Sequence, residues 1–249
     1  MSNRAFFRFD IPFVSFGQTH FWALACFAIF LIIFIVAGLR LSSKQNLLVT
    51  RTASALLCLT VIVWTTIHIA YDRFNVVENL PLSICNLFAL TSPILFWSPN
   101  RARFEIVYFF VLSGTLQAIV TPDVDAGFPS YLFFKYFIIH CGLIVVVLHH
   151  LIAFKLYPQV KGIVRAFVWL NIYMLCLVPI NLLLNANYFY LMSKPDNPSI
   201  LDFFGPWPIY IMLGEVVAIA FFSLAYIPIF FAKNNYRKVN TMPSENNPN

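Results

Sequence analysis

The side chains in this sequence that could do chemistry are a cysteine, a histidine and a few carboxylates, amides and cations set among long apolar runs. Cys85 lies in ENLPLSICN (Glu78 to Asn86), where Asn79 can cap a helix and Pro81 suits its first turn, because backbone donors there lack intrahelical partners. Glu78 and Cys85 are seven residues apart and share a helix face, with the thiol two turns deeper. A thiol near a helix N-terminus feels the positive end of the dipole, which favours the nucleophilic thiolate. The competing reading is a small apolar filler. His140, in FIIHCGLIVVV, is a lone imidazole that needs a partner or a cavity. It could take a proton from a thiol or hydroxyl, or simply bond a neighbouring helix. The amides of Gln117 and Asn86 could stabilise an oxyanion or orient another side chain. Glu215 could couple to protons, orient a histidine or pair with Lys135.

Further polar groups sit at the edges of the apolar runs: His68 and Arg73, Asp123 after Thr121 and Pro122, and Asn181. No phosphate-binding glycine loop, H-E-x-x-H, G-x-S-x-G or dinucleotide fingerprint is present. Cys26, Cys58, Cys85, Cys141 and Cys176 all lie within apolar runs with no C-x-x-C spacing. Neither a disulfide framework nor a metal or other cofactor is expected.

The elements that must position these residues follow from composition. Of the residues, 60% are hydrophobic and only 10% charged, against about 25% charged in a soluble domain. The surface must face lipid, so membrane lipids are the expected partners and nucleic acid is not. The fold class expected is all-α, a polytopic transmembrane helical bundle. A hydrocarbon core about 30 Å thick needs ~20 helical residues. Seven windows meet this: 20–39, 47–70, 80–97, 104–121, 131–154, 162–184 and 207–231. Arg40, Lys44, Arg51, Arg101, Arg103, Lys155, Lys161, Arg165, Lys233, Arg237 and Lys238 fall on one side, against Arg4, Arg8, Arg73 and Lys194 on the other. The bias places a short N-terminus (1–19) outside and a polar, disordered tail (234–249) in the cytoplasm, across a plasma membrane. The external segment from Asn185 to Pro206 is long enough to serve as a lid or binding element. No inverted repeat of the transporter kind is visible.

In this frame His68, Arg73, Glu78, Cys85, Asn86, Gln117, Asp123, Lys135, His140, Asn181 and Glu215 all fall toward the outer half of the bilayer, whereas the inner half holds mainly His149, His150 and Asn171. Structural polar residues would scatter with depth, so a polar pocket near the outer face is expected.

ENLPLSICNLFALTSPILF (Glu78 to Phe96), SGTLQAIVTPD (Ser113 to Asp123) and the histidine of FIIHCGL resemble the YwaF-type family of bacterial integral membrane proteins, which is similar to the animal transmembrane protein 164. The animal relative is an acyltransferase that moves a fatty acyl group between phospholipids through a cysteine. The resemblance implies that Cys85 is the matching nucleophile and His140 its base, with a phospholipid as substrate. Three readings stand from the residues: a cysteine-dependent acyltransferase or lipid hydrolase, a proton-coupled transporter or small-molecule binder using Glu215 and His140, and a non-catalytic scaffold or sensor.

Overall fold

The structure, a computed structural model, describes residues 5–195 and 200–241. Among them there are helices and turns but no strand. Six helices are long and apolar enough to cross a membrane: α1 (Gln18–Arg40), α2 (Ser43–Ala70), α4 (Arg101–Val120), α5 (Tyr131–Phe154), α6 (Val160–Leu184) and α7, whose spanning part is Ile209–Ala232. Between α2 and α4 lies α3 (Ile84–Leu95), with only 12 residues and a length of about 18 Å. The chain is a multi-pass membrane protein, because helices this apolar bury their backbone polar groups internally while their side chains face lipid.

Local signals explain most boundaries. Ser42 and Gln45 form a reciprocal capping box that starts α2. The Asn100 side chain accepts from the Arg103 N–H to start α4, and Ser130 caps α5. The left-handed residues Lys155 and Asn185 end α5 and α6. α5 is the central element and packs against α1, α2, α3 and α4, while α6 and α7 flank α4. The core joins Leu57, Val61, Phe104, Tyr108, Phe109, Ile139, Leu143 and Phe222, each at most 3% exposed. At one face of the bundle the buried Glu105 carboxylate pairs with Arg165 and accepts the Gln159 N–H, tying α4 to α6. Gly162 passes so close that a Cβ there would lie 2.9 Å from the Glu105 carboxylate carbon.

Two departures from the sequence reading matter for the site. The third expected window, 80–97, is helical only from Ile84, with Ser83 and not Asn79 at its N-cap and Pro81 outside the helix. The Asn79 side chain instead accepts from the Asn75 N–H and closes a turn. The non-helical backbone before α3 is supplied with partners by tyrosines. Tyr188 donates to the Val76 carbonyl at 2.8 Å and accepts from the Leu80 N–H at 3.0 Å, and Tyr173 donates to the Leu82 carbonyl. These bonds satisfy backbone groups that no helix pairs.

In α4, a π-helical turn spans Val111–Thr115. It breaks the expected Ser113–Gln117–Thr121 stripe, so Ser113 and Thr115 are buried while Gln117 is exposed. At the chain ends, α7 continues as helix to Thr241, where the sequence suggested a disordered tail from residue 234. Residues 242–249 and 1–4, the remainder of the expected tail and N-terminus, lie outside the described residues. The rest of the N-terminal segment is packed across the bundle end, with Phe9 against His68, Phe13 against Phe133 and Phe137, and the Ile11 carbonyl accepting from Gly127.

Candidate functional site

Cys85 and His140 line one cavity of about 540 Å³, together with Val77, Glu78, Ser83, Ile84 and the segment Asn185 to Tyr190. The floor is the start of α3. No side chain caps that end, and the N–H groups of Ile84, Cys85 and Asn86 have no helical carbonyl four residues back to bond. The cavity thus meets orphan donors and the positive end of the helix dipole beside the thiol. Cys85 Sγ lies 3.4 Å from the hydroxyl of Thr115, which the π-helical turn of α4 presents from 1% exposure.

His140 is oriented by its own helix. Its Nδ1 sits 2.8 Å from the Tyr136 carbonyl, and its ring stacks on Tyr136 at 4.0 Å between centroids. A carbonyl only accepts, so in the neutral ring Nδ1 carries the proton and Nε2 keeps its lone pair. Tyr136 is fixed in turn, donating to the Ala118 carbonyl at 2.8 Å. Lys135, Tyr136 and Tyr173 all lie within electrostatic range of Cys85.

The remaining candidates divide by place. Glu78 lines the cavity. Asn181 is 1% exposed and does not; its side chain donates to the Tyr188 carbonyl and accepts from the Tyr188 N–H, which clamps the loop forming the cavity wall. Phe189 and Tyr190 in that loop both adopt positive φ, 61° and 52°, a costly conformation for aromatic residues that surrounding structure must hold in place.

His68, Arg73 and Lys135 form a neighbouring cluster: Lys135 lies over the Trp64 ring at 4.3 Å, His68 bonds the Trp64 carbonyl, and Arg73 lies over Phe9 at 4.3 Å. Asp125, in the loop beside this cluster, was not a sequence candidate. Burial pushes its carboxyl above the usual carboxylate range, and Lys135 pulls it back down.

Asn86 is buried beneath the cavity, whereas Gln117 and Asp123 are exposed; none of the three lines the cavity. Glu215 is half-buried on α7, also outside the lining, with no ion pair among the described residues. The structure adds Ser83, Thr115, Asn187 and Tyr188 to Tyr190. Only the lid-like length of the loop signalled any of these in advance. A second, mainly apolar groove of about 630 Å³ between α1, α2 and α5 carries none of the candidates.

No curated protein and no solved structure matches the chain. A family model, that of the TMEM164 family, matches residues 15–226, which is most of the chain. The protein with this cysteine- and histidine-lined cavity is therefore a member of the TMEM164 family.

Proposed function

We propose that the protein is a membrane acyltransferase that uses Cys85 as nucleophile and His140 as base on the acyl ester of a phospholipid. The observation that carries this reading is the shared cavity: a thiol on the first turn of a helix that begins inside the bundle, with an imidazole whose free nitrogen is the basic one. Nε2 takes the thiol proton as Sγ attacks the ester carbonyl carbon. The carbonyl oxygen becomes an oxyanion, met by the uncapped N–H groups of α3 and the Thr115 hydroxyl. The carbon–oxygen ester bond then breaks, and the leaving lipid oxygen takes the proton from Nε2 and departs as a hydroxyl. A thioester remains on Cys85. A second lipid hydroxyl, deprotonated by His140, attacks it and restores the thiol; water in that place would make the enzyme a hydrolase.

In this reading the chain crosses the membrane seven times. The third crossing combines α3 with the extended segment held by Tyr173 and Tyr188. The N-terminus is outside and the C-terminus cytoplasmic, so the cavity opens toward the outer leaflet of the plasma membrane, where ester groups are found. The bacterial YwaF-type relatives would share this arrangement.

The test is acyl exchange between phospholipids in vesicles containing the purified protein. Exchange should disappear with Cys85→Ser and fall by about 10²-fold or more with His140→Ala. Undiminished exchange in both variants would refute the reading. The alternative, proton-coupled transport, draws on the unpaired acid Glu215. It predicts pH-dependent uptake that is lost in Glu215→Gln and kept in Cys85→Ala.

A further inference from the structure

The half of the bundle away from this cavity holds polar atoms that the family assignment and the reading above do not use. The buried face of α2 runs Asn46, Thr50, Ser54, Leu57, Val61, Trp64, His68. Its first three members are polar, each at most 2% exposed. Asn46 Oδ1, Thr50 Oγ1, Ser54 Oγ, His149 Nε2 and His150 Nδ1 are buried without a hydrogen-bond partner among the described residues. A buried polar atom without a partner is costly, and ordered water is its usual remedy.

Register brings Thr50 and His149 together, while His150 packs against Phe96 at the end of α3. α2 and α5 run antiparallel in close contact. Lys135 lies over Trp64, and Leu57 abuts Gly142, where a Cβ would come within 2.6 Å of it. One further step of seven residues along each helix sets Thr50 opposite His149. Ser92 of α3 joins the group by donating to the Ser54 carbonyl at 2.9 Å.

The two hydroxyls also differ from most of those along the bundle helices, although Ser113 Oγ in α4 is likewise buried without a partner. Thr60, Thr65, Thr66, Thr91 and Ser223 each bond the carbonyl four residues back in their own helix. Thr50 and Ser54 make no such bond. His149 Nδ1 lies 2.8 Å from the Phe34 carbonyl, which leaves Nε2 as an acceptor. The group therefore combines acceptors and hydroxyls with no carboxylate; the buried Glu105 is already paired with Arg165.

We infer that Asn46, Thr50, Ser54, His149 and His150 form a hydrated site that binds a short file of water, reaching about 12 Å up α2 from the Arg40–Lys44 end and stopped by the contact of Leu57 with Gly142. Water is the ligand that fits, because it donates to Asn46 Oδ1 and His149 Nε2 and brings no charge that the site would have to balance.

Two measurements on the full chain in lipid nanodiscs test this. The first is X-ray radiolytic hydroxyl labelling read by mass spectrometry, with the water of the medium as probe. His149 and His150, at 0% and 1% exposure, should be oxidised far faster than the equally buried Phe109. Protection as complete as that of Phe109 overturns the inference. The second is thermal unfolding of Thr50→Val and Ser54→Ala, with Thr60→Val as control. Removing a hydroxyl from a hydrated network should lower Tm by about 2–4 °C, with no change in the control. A rise or no change in Thr50→Val and Ser54→Ala overturns the inference, since deleting a dry, unpartnered hydroxyl relieves a cost.

Discussion

Tyr188→Phe isolates the device that lets α3 start inside the bundle. The substitution keeps the ring, 8% exposed, and deletes only the hydroxyl that donates to Val76 and accepts from Leu80. Val76 is 47% exposed, so water can replace the phenol at its carbonyl and that loss counts for little. The Leu80 N–H is half-enclosed and keeps no partner, at a cost of about 1–2 kcal/mol, toward the low end for a buried unsatisfied donor. For a chain of this size, that lowers Tm by about 2–8 °C. The loosened segment leads directly into Ser83 and Cys85, so alkylation of Cys85 by a water-soluble maleimide, resolved by mass spectrometry, should accelerate in the same variant. Tyr190→Phe, whose hydroxyl holds no bond among the described residues, is the control. Unchanged Tm and unchanged Cys85 alkylation in Tyr188→Phe would refute the claim that tyrosine hydroxyls hold the non-helical segment before α3.

Other consequences can be checked alongside. Thr115→Val is nearly isosteric and should leave folding intact while lowering lipid turnover by about 10²-fold, the scale of one lost oxyanion donor; Thr115→Ser should retain most activity. Asn181→Ala strips both backbone groups of Tyr188 of their partner, costing about 2–4 kcal/mol in thermal or denaturant unfolding. Gly162→Ala forces a methyl against the Glu105 carboxylate and the Phe109 ring, both 2.9 Å away. The carboxylate is held by Arg165 and Gln159 and cannot yield, so a loss of about 1–3 kcal/mol is expected in the same assay.

What the sequence disclosed follows from the periodicities it can carry. Long apolar windows identify membrane helices because the hydrocarbon thickness sets their length. Cys85, His140 and Glu78 were legible because polar groups in apolar runs must find a cavity or a partner, and these three found the same cavity. Gln117 was misplaced because a π-helical turn rotates everything after it, and that turn has no mark in VLSGT. The same turn hid Thr115, which a straight helix would have placed off the stripe. The early helix start assigned to Asn79 and Pro81 met all local capping rules. It gave way to tertiary partners, Tyr173 and Tyr188, from more than 90 residues away. The polar stripe of Asn46, Thr50 and Ser54 was overlooked because hydroxyls in membrane helices commonly satisfy themselves against their own backbone, and only side-chain direction shows that these two do not.

The central claim is that Cys85 carries the acyl group. Incubating the purified protein with vesicles of a phospholipid bearing an isotopically marked fatty acid, then mapping adducts by mass spectrometry, tests it directly. A hydroxylamine-labile acyl mass is expected on Cys85, and on none of Cys26, Cys58, Cys141 or Cys176, and it should be abolished in Cys85→Ser and sharply reduced in His140→Ala. Acyl exchange that proceeds with no adduct at Cys85, and at full rate in Cys85→Ala, would contradict it.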